Sequence, residues 1–212
     1  MTLTRDVEPD VWADPAAERV ATPATIVTAV RTVLAVALAA WAATDHDLTL
    51  LVVSLAVYWA GDVLDGFVAR TMHHETRIGA VLDVLCDRFC AAAFYLGLVW
   101  LQPEHAWPVL VYLAEFMVVD CFLSLAFLAW PLRSPNYFYV VDRTIWLWNW
   151  SKPAKALNTG AVVISLVVAG HTGVQWLPYA VAIAALAVKV VSSYRLVMIL
   201  CGRRLASPGQ PR

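Results

Sequence analysis

The sequence predicts an all-α integral membrane protein, a six-transmembrane-helix bundle with cytosolic termini. Three observations carry that expectation. Of the 212 residues, 61% are hydrophobic and 15% charged, well below the charged share of about 25% in soluble domains. Apolar runs long enough to cross a hydrocarbon core of about 30 Å recur six times, with short connections between them. The basic residues are also segregated. Connections 44–47, 102–106 and 171–175 contain no Lys or Arg, whereas 71–78, 131–155 and the C-terminal tail carry Arg77, Arg133, Arg143, Lys152, Lys155, Arg203, Arg204 and Arg212. Basic connections stay on the cytosolic side, which orients the bundle.

Taken in order, residues 1–23 form an acidic cytosolic segment, compatible with a short interfacial helix. The segment lacks an apolar core of the secretory-signal type. Spans are expected at roughly 25–43, 48–68, 79–101, 107–130, 156–171 and 176–200, making one membrane domain over 24–200. The fifth is the least apolar, because Asn158, Thr159 and Gly160 dilute its start. A cytosolic tail over 201–212 ends in "ASPGQPR", which reads as disordered. Cys86, Cys90, Cys121 and Cys201 all fall in apolar runs without metal-type spacing and read as small buried hydrophobes. A net charge of −1 gives no sign of a nucleic-acid partner.

The second and third spans break the apolar pattern with Asp62, Asp65, Asp83 and Asp87. A carboxylate at the centre of a spanning helix costs roughly 2.5–3.5 kcal/mol on insertion scales, so four together call for a reason. Asp62, Asp65, Gly66 and Ala69 share one helical face, as do Gly79, Asp83 and Asp87. At 1.5 Å per residue, Asp62 and Asp65 lie roughly 9 and 5 Å from the cytosolic boundary, and Asp83 and Asp87 about 6 and 12 Å in from Gly79. Two antiparallel helices therefore bring the four to similar depth. Protonation, pairing with Arg or binding of cations could relieve their repulsion. Arg70 and Arg88 could neutralise only two. Hard divalent cations such as Mg²⁺ suit oxygen ligands and keep positions open for phosphate oxygens. The small residues Gly66, Ala69 and Gly79 let helices pack closely and also leave room for a bulky group beside the acids.

These residues carry a resemblance. The pattern D-x2-D-G-x2-A-R-x8-G-x3-D-x3-D is the signature of the CDP-alcohol phosphatidyltransferases. Asp62, Asp65, Gly66, Ala69, Arg70, Gly79, Asp83 and Asp87 match its every fixed position. The first span is similar to the family's P-N-x-x-T-x-x-R through Thr28 and Arg31, although Ala24 and Thr25 replace Pro-Asn. The resemblance implies transfer of a phosphatidyl group from a CDP-activated lipid, usually CDP-diacylglycerol, to a small alcohol, with release of CMP. It further implies two divalent ions, Mg²⁺ or Mn²⁺. Asp62, Asp65 and Asp83 would hold one, and Asp62, Asp83 and Asp87 the other. Asp87 would act as base, and Gly66, Ala69, Arg70 and Gly79, with Thr28 and Arg31, would contact CDP. Members are often homodimers, but the sequence leaves the oligomeric state of this chain open. The location implied is a prokaryotic plasma membrane, multi-pass, with the site facing the cytosol.

For the acceptor, Arg133, Arg143, Lys152 and Lys155, with Arg195, form a basic rim, of which Lys152, Lys155 and Arg195 would draw an anionic alcohol such as inositol phosphate or glycerol-3-phosphate. The positive-inside bias and contact with anionic headgroups explain the same residues without a substrate. Inositol-type members tend to end the motif in Asp-Arg, as Asp87-Arg88 does here. A cardiolipin-type enzyme using phosphatidylglycerol stays open. Trp146, Trp148 and Trp150 read as interfacial anchors, and His73 and His74 as solvated loop residues. Asp120 and Lys189 sit at matching depths and are expected to pair, whereas Glu115 has no evident partner. A cation-coupled transporter is the rival of a different class. It is disfavoured because the acids crowd one end of their spans and no inverted repeat is visible. A membrane prenyltransferase is disfavoured because its aspartate motifs lie far apart in a larger bundle.

Overall fold

The computed structural model describes residues 11–205. Their architecture is helical: α1 (Pro23–Asp45), α2 (Leu48–Thr71), α3 (Arg77–Leu101), α4 (Ala106–Ala114), α5 (Cys121–Leu125), α6 (Arg143–Asn149), α7 (Lys152–Thr172) and α8 (Leu177–Leu205). Between α4 and α5 the chain makes a π-helical stretch, Glu115–Asp120, so Pro103–Ala129 runs as one apolar element. Five helices are long and apolar enough to cross a membrane. The bent pair Lys152–Asn158 and Gly160–Thr172 makes a sixth if the two count as one span. The 43° bend falls at the polar stretch that dilutes the fifth predicted span.

Local chemistry sets the helix starts. Thr22 caps α1, its side chain accepting from the Thr25 amide while Thr25 returns the bond to Thr22 N. Asp47, Thr76, Asp142 and Ser151 accept from the first-turn amides of α2, α3, α6 and α7. Each such cap is worth about 1 kcal/mol. Caps at Thr22 and Thr76 stand next to the aspartate motif and set where α1 and α3 begin relative to it.

Small residues bring α1 against α2 and α3. Ala35, Ala39 and Ala42 are buried beside Leu51, Leu55, Ala91 and Phe94. Gly97 is a point of close approach in that seam. A Cβ there would lie 2.9 Å from Leu51 Cδ1 and 3.7 Å from the Ala39 carbonyl oxygen. Gly97→Leu is therefore expected to lower stability by about 1–3 kcal/mol through overpacking, read as a lower melting temperature of the purified protein. Away from the seam, Val30, Leu34, Leu85, Phe89, Leu96, Val190 and Val197 are exposed, as lipid-facing side chains are.

The 131–150 connection is a folded cap and not a loose loop. Phe138, Leu132 and Ile145 are fully buried, and Trp130 and Trp150 nearly so. Val11 joins this second core, with an antiparallel bridge between Trp12 and Leu132. The expected aromatic anchoring thus needs correction. Trp150 is core, Trp146 is half-buried and donates to the Asn136 carbonyl (2.8 Å), and Trp148 alone of the three is open. The reason is length: unlike the short connections expected between the spans, this one is long enough to bury its own aromatics against α8 and residues 11–12. Within 12–22 the described residues make a 3₁₀ turn, Pro15–Ala17. The remainder of the predicted interfacial helix (1–10) and most of the predicted tail (206–212) lie outside the described residues, while Cys201–Leu205 continues α8.

Candidate active site

Helices α1, α2 and α3 converge on the four aspartates. Asp62 and Asp65 come from the last turns of α2 and Asp83 and Asp87 from the first turns of α3, one pair descending and the other ascending. One carboxylate oxygen each from Asp62, Asp83 and Asp87 lies within 4.8 Å of the other two. Asp65 sits deeper, its side chain only 5% exposed, and its Oδ2 accepts from Thr28 Oγ1 (2.8 Å) and Arg31 Nε (2.7 Å). The expected cluster forms, in two tiers.

Arg31 fills its centre. Nη2 lies 2.6 Å from Asp83 Oδ1, 2.9 Å from Asp87 Oδ1 and 3.8 Å from Asp62 Oδ1. Arg70 and Arg88, which could neutralise only two of the four, are not the partners of the cluster; Arg31 is. Arg70 folds back over Gly66, where an added Cβ would meet its Nη1 at 3.1 Å. Arg88 pairs with Asp120 and Ser124, its guanidinium 3.7 Å from the Phe116 ring centroid. Asp120 also takes Lys189 Nζ at 2.6 Å, so the expected Asp120–Lys189 pair is present, enlarged by Arg88. Lys189 continues to Asn149 Oδ1 (2.9 Å), and Asn149 to Ser192 (3.0 Å). Glu115 is buried with its Oε1 unpartnered among the described residues.

Two clefts meet at the cluster. The first is lined by Thr25, Thr28, Asp65, Gly66, Ala69, Arg70, Thr76, Gly79 and Asp83. It gathers Thr28, Gly66, Ala69, Arg70 and Gly79 of the predicted CDP contacts, while Arg31 lies behind it among the acids. The second is lined by Tyr58, Asp62, Asp83, Asp87, Arg88, Asp120, Asn149, Lys155 and Asn158. Ala80, Asp83, Ser134 and Asn136 border both. Of the predicted acceptor contacts, Lys155 borders the second cleft, with Nζ 2.6 Å from Asn136 Oδ1. Lys152 is exposed at the start of α7, and Arg195 forms an ion pair with Asp142 at 2.8 Å. His74 borders the first cleft, and His73 has a left-handed backbone at φ 54°.

Sequence reasoning missed Tyr58, Asn136, Asn149 and Asn158. Tyr58 could have been found, since it lies one helical turn before Asp62 on the aspartate face. The asparagines come from three separate elements and share no spacing, so only the folded cap brings them together.

The donor set fits divalent cations. All the ligands are hard oxygens, and a buried guanidinium already occupies the centre where a cation belongs.

A sequence model of the CDP-alcohol phosphatidyltransferases matches residues 21–191, from the N-terminal cap of α1 into α8. The chain belongs to the CDP-alcohol phosphatidyltransferase family. Shorter stretches are similar to curated family relatives. A phosphatidylinositol phosphate synthase of Mycobacteroides abscessus is 43% identical over 53 residues, 21% of this chain and 24% of the relative. One from Mycobacterium tuberculosis is 48% identical over 44 residues, 21% and 20% of the two chains. A CDP-diacylglycerol–inositol 3-phosphatidyltransferase of Candida albicans is 40% identical over 52 residues, 24% and 23%. The matched stretch thus spans less than a quarter of each of these relatives. No solved structure matches. In this CDP-alcohol phosphatidyltransferase, Lys152 and Lys155 fall inside the family region and Arg195 beyond it.

Proposed function

We propose that the protein transfers the phosphatidyl group of CDP-diacylglycerol to the hydroxyl of a phosphorylated alcohol, inositol phosphate by preference, releasing CMP. The observation that carries this reading is the placement of Asp62, Asp83 and Asp87 where two clefts meet. The donor's cytidine diphosphate enters the first cleft, against Gly66, Ala69, Arg70, Gly79 and Thr28. The acceptor enters the second, with Lys155 and Asn136 at its anionic group and Asn149, Asn158 and Ser124 facing its hydroxyls.

Asp62, Asp65, Asp83 and Asp87 would hold two Mg²⁺ or Mn²⁺ ions. Bound there, such ions would supply the positive charge that favours attack at the phosphorus and departure of CMP. The chain's own residues do the rest. Asp87 borders the acceptor cleft and takes the proton of the attacking hydroxyl. The new O–P bond forms as the bond from phosphorus to the CMP oxygen breaks. Gly66 and Gly79 leave space for the diphosphate, and Arg70 borders the same cleft as a counter-charge. The donor's acyl tails stay in lipid against the exposed apolar faces of the bundle.

This reading takes the bundle as six spans with cytosolic termini, the 24–200 region as the catalytic domain, and a prokaryotic plasma membrane as the site of action. The names of the mycobacterial relatives and the Asp87-Arg88 ending support inositol phosphate. The anionic character of glycerol-3-phosphate makes it the second acceptor to test.

Purified protein given CDP-diacylglycerol and Mn²⁺ is expected to release CMP with inositol phosphate, with the lipid product identified by mass. Glycerol-3-phosphate, inositol, serine and phosphatidylglycerol serve as comparisons. Chelation should abolish the release and added Mn²⁺ or Mg²⁺ restore it. Release that persists undiminished in chelator would contradict the reading.

A further inference from the structure

Among the described residues, Arg31 is the side chain that touches all four aspartates. It is 3% exposed, its guanidinium lies 5.6 Å from the Tyr58 ring centroid, and its Nη1 has no hydrogen-bond partner. Its two ends do different work. Nε and Thr28 share Asp65 Oδ2, an anchor at the deep tier. Nη2 instead rests on the Oδ1 atoms of Asp62, Asp83 and Asp87. Those three carboxylates also offer the oxygens that lie within 4.8 Å of one another. An ion bound there and Nη2 compete for one space.

Charge points the same way. One guanidinium offsets a single charge among four carboxylates, whereas two divalent ions offset all four. Gly61 holds the guanidinium stem in place: a Cβ there would stand 2.5 Å from both Arg31 Cβ and Cδ. The base of the side chain is therefore fixed, and motion is left to its far end.

We propose that Arg31 is a resident counter-cation of the acidic nest, exchanged for divalent ions. Without metal, Nη2 holds Asp62, Asp83 and Asp87 together. On metal loading it leaves those oxygens while Nε stays on Asp65. The freed end then lies beside Thr28 and Asp65, which border the donor cleft, so an arriving nucleoside diphosphate supplies the anion that the carboxylates give up. Metal loading and nucleotide binding are thereby linked through one side chain. The inference rests on the functional reading above.

The test is calorimetric titration of Mn²⁺ into metal-free wild-type and Arg31→Gln proteins, with and without CDP, alongside their melting temperatures. Arg31→Gln is expected to bind Mn²⁺ about tenfold or more tightly than wild type in the absence of CDP. It should also melt lower when metal-free and gain more from Mn²⁺. If the glutamine variant does not fold, Arg31→Lys serves. Its single ammonium cannot hold Asp65 and the nest together, so it too should bind Mn²⁺ more tightly than wild type. Equal or weaker Mn²⁺ binding by the variant, with wild type binding normally, overturns the exchange and leaves the functional reading standing. Wild-type protein that binds no Mn²⁺ even with CDP removes both.

Discussion

Asp87→Asn protein is expected to fold and to release CMP about 10²- to 10⁴-fold more slowly than wild type, the usual worth of a positioned general base. Asn occupies the same volume, and its amide oxygen can still accept from Arg31 Nη2, which lies 2.9 Å from Asp87 Oδ1. The helix start is set by Thr76, three turns away, and is untouched. What disappears is a carboxylate that borders the second cleft, the proposed acceptor site, and also belongs to the acidic cluster that could hold a metal ion. The measurement is CMP release by purified protein at saturating CDP-diacylglycerol, with the melting temperature as the control for folding. Mn²⁺ titration separates the two contributions. A rate loss that excess Mn²⁺ recovers belongs to ligation, and a loss that persists at saturation belongs to proton transfer. Turnover equal to wild type would take Asp87 out of the chemistry altogether.

The second large effect is on stability. Asp120→Asn leaves Arg88 and Lys189, 7% and 1% exposed, without the carboxylate they share. Removing one partner of a buried ion pair costs about 3–5 kcal/mol, because the remaining charge stays desolvated. Here two cations are stranded, so the upper part of that range is expected, read as a lower melting temperature in detergent or nanodiscs. Adding Lys189→Met to Asp120→Asn removes one stranded cation and should recover part of the loss. No recovery would mean that Lys189 does not depend on Asp120. The change also reaches function, since Asp120 and Ser124 hold the Arg88 side chain, which lines the same cleft as Asp87. A freed Arg88 can turn towards the second cleft, the proposed acceptor site.

Much of this was legible in the sequence because membrane helices write their constraints plainly. Apolar length predicts the spanning helices, and the i, i+3, i+4 spacing of Asp62, Asp65 and Gly66 predicts a shared face. The same arithmetic of depth paired Asp120 with Lys189 across more than sixty intervening residues. The polar Asn158–Gly160 stretch marked a weak span, and the bend lies there. Other features left no periodic trace. The fourth span makes a π-helical turn at Glu115–Asp120, whose last residue is the Asp120 that pairs with Arg88. Such turns follow from tertiary packing and have no composition of their own. Arg31 was readable as a residue of the motif region but not as the hub of four carboxylates, because that depends on how closely α1 approaches α2 and α3. The aromatic connection misled for a related reason: tryptophans that suit an interface also suit a small core, and only the fold decides between them.

The most direct measurement is the anomalous difference density of crystals grown with Mn²⁺ and CDP. Two adjacent peaks between Asp62, Asp83 and Asp87, one of them also within reach of Asp65, with the CDP diphosphate against them, are the predicted result. Density for bound CDP with no peak at these carboxylates, and Arg31 still seated among them, would contradict the account.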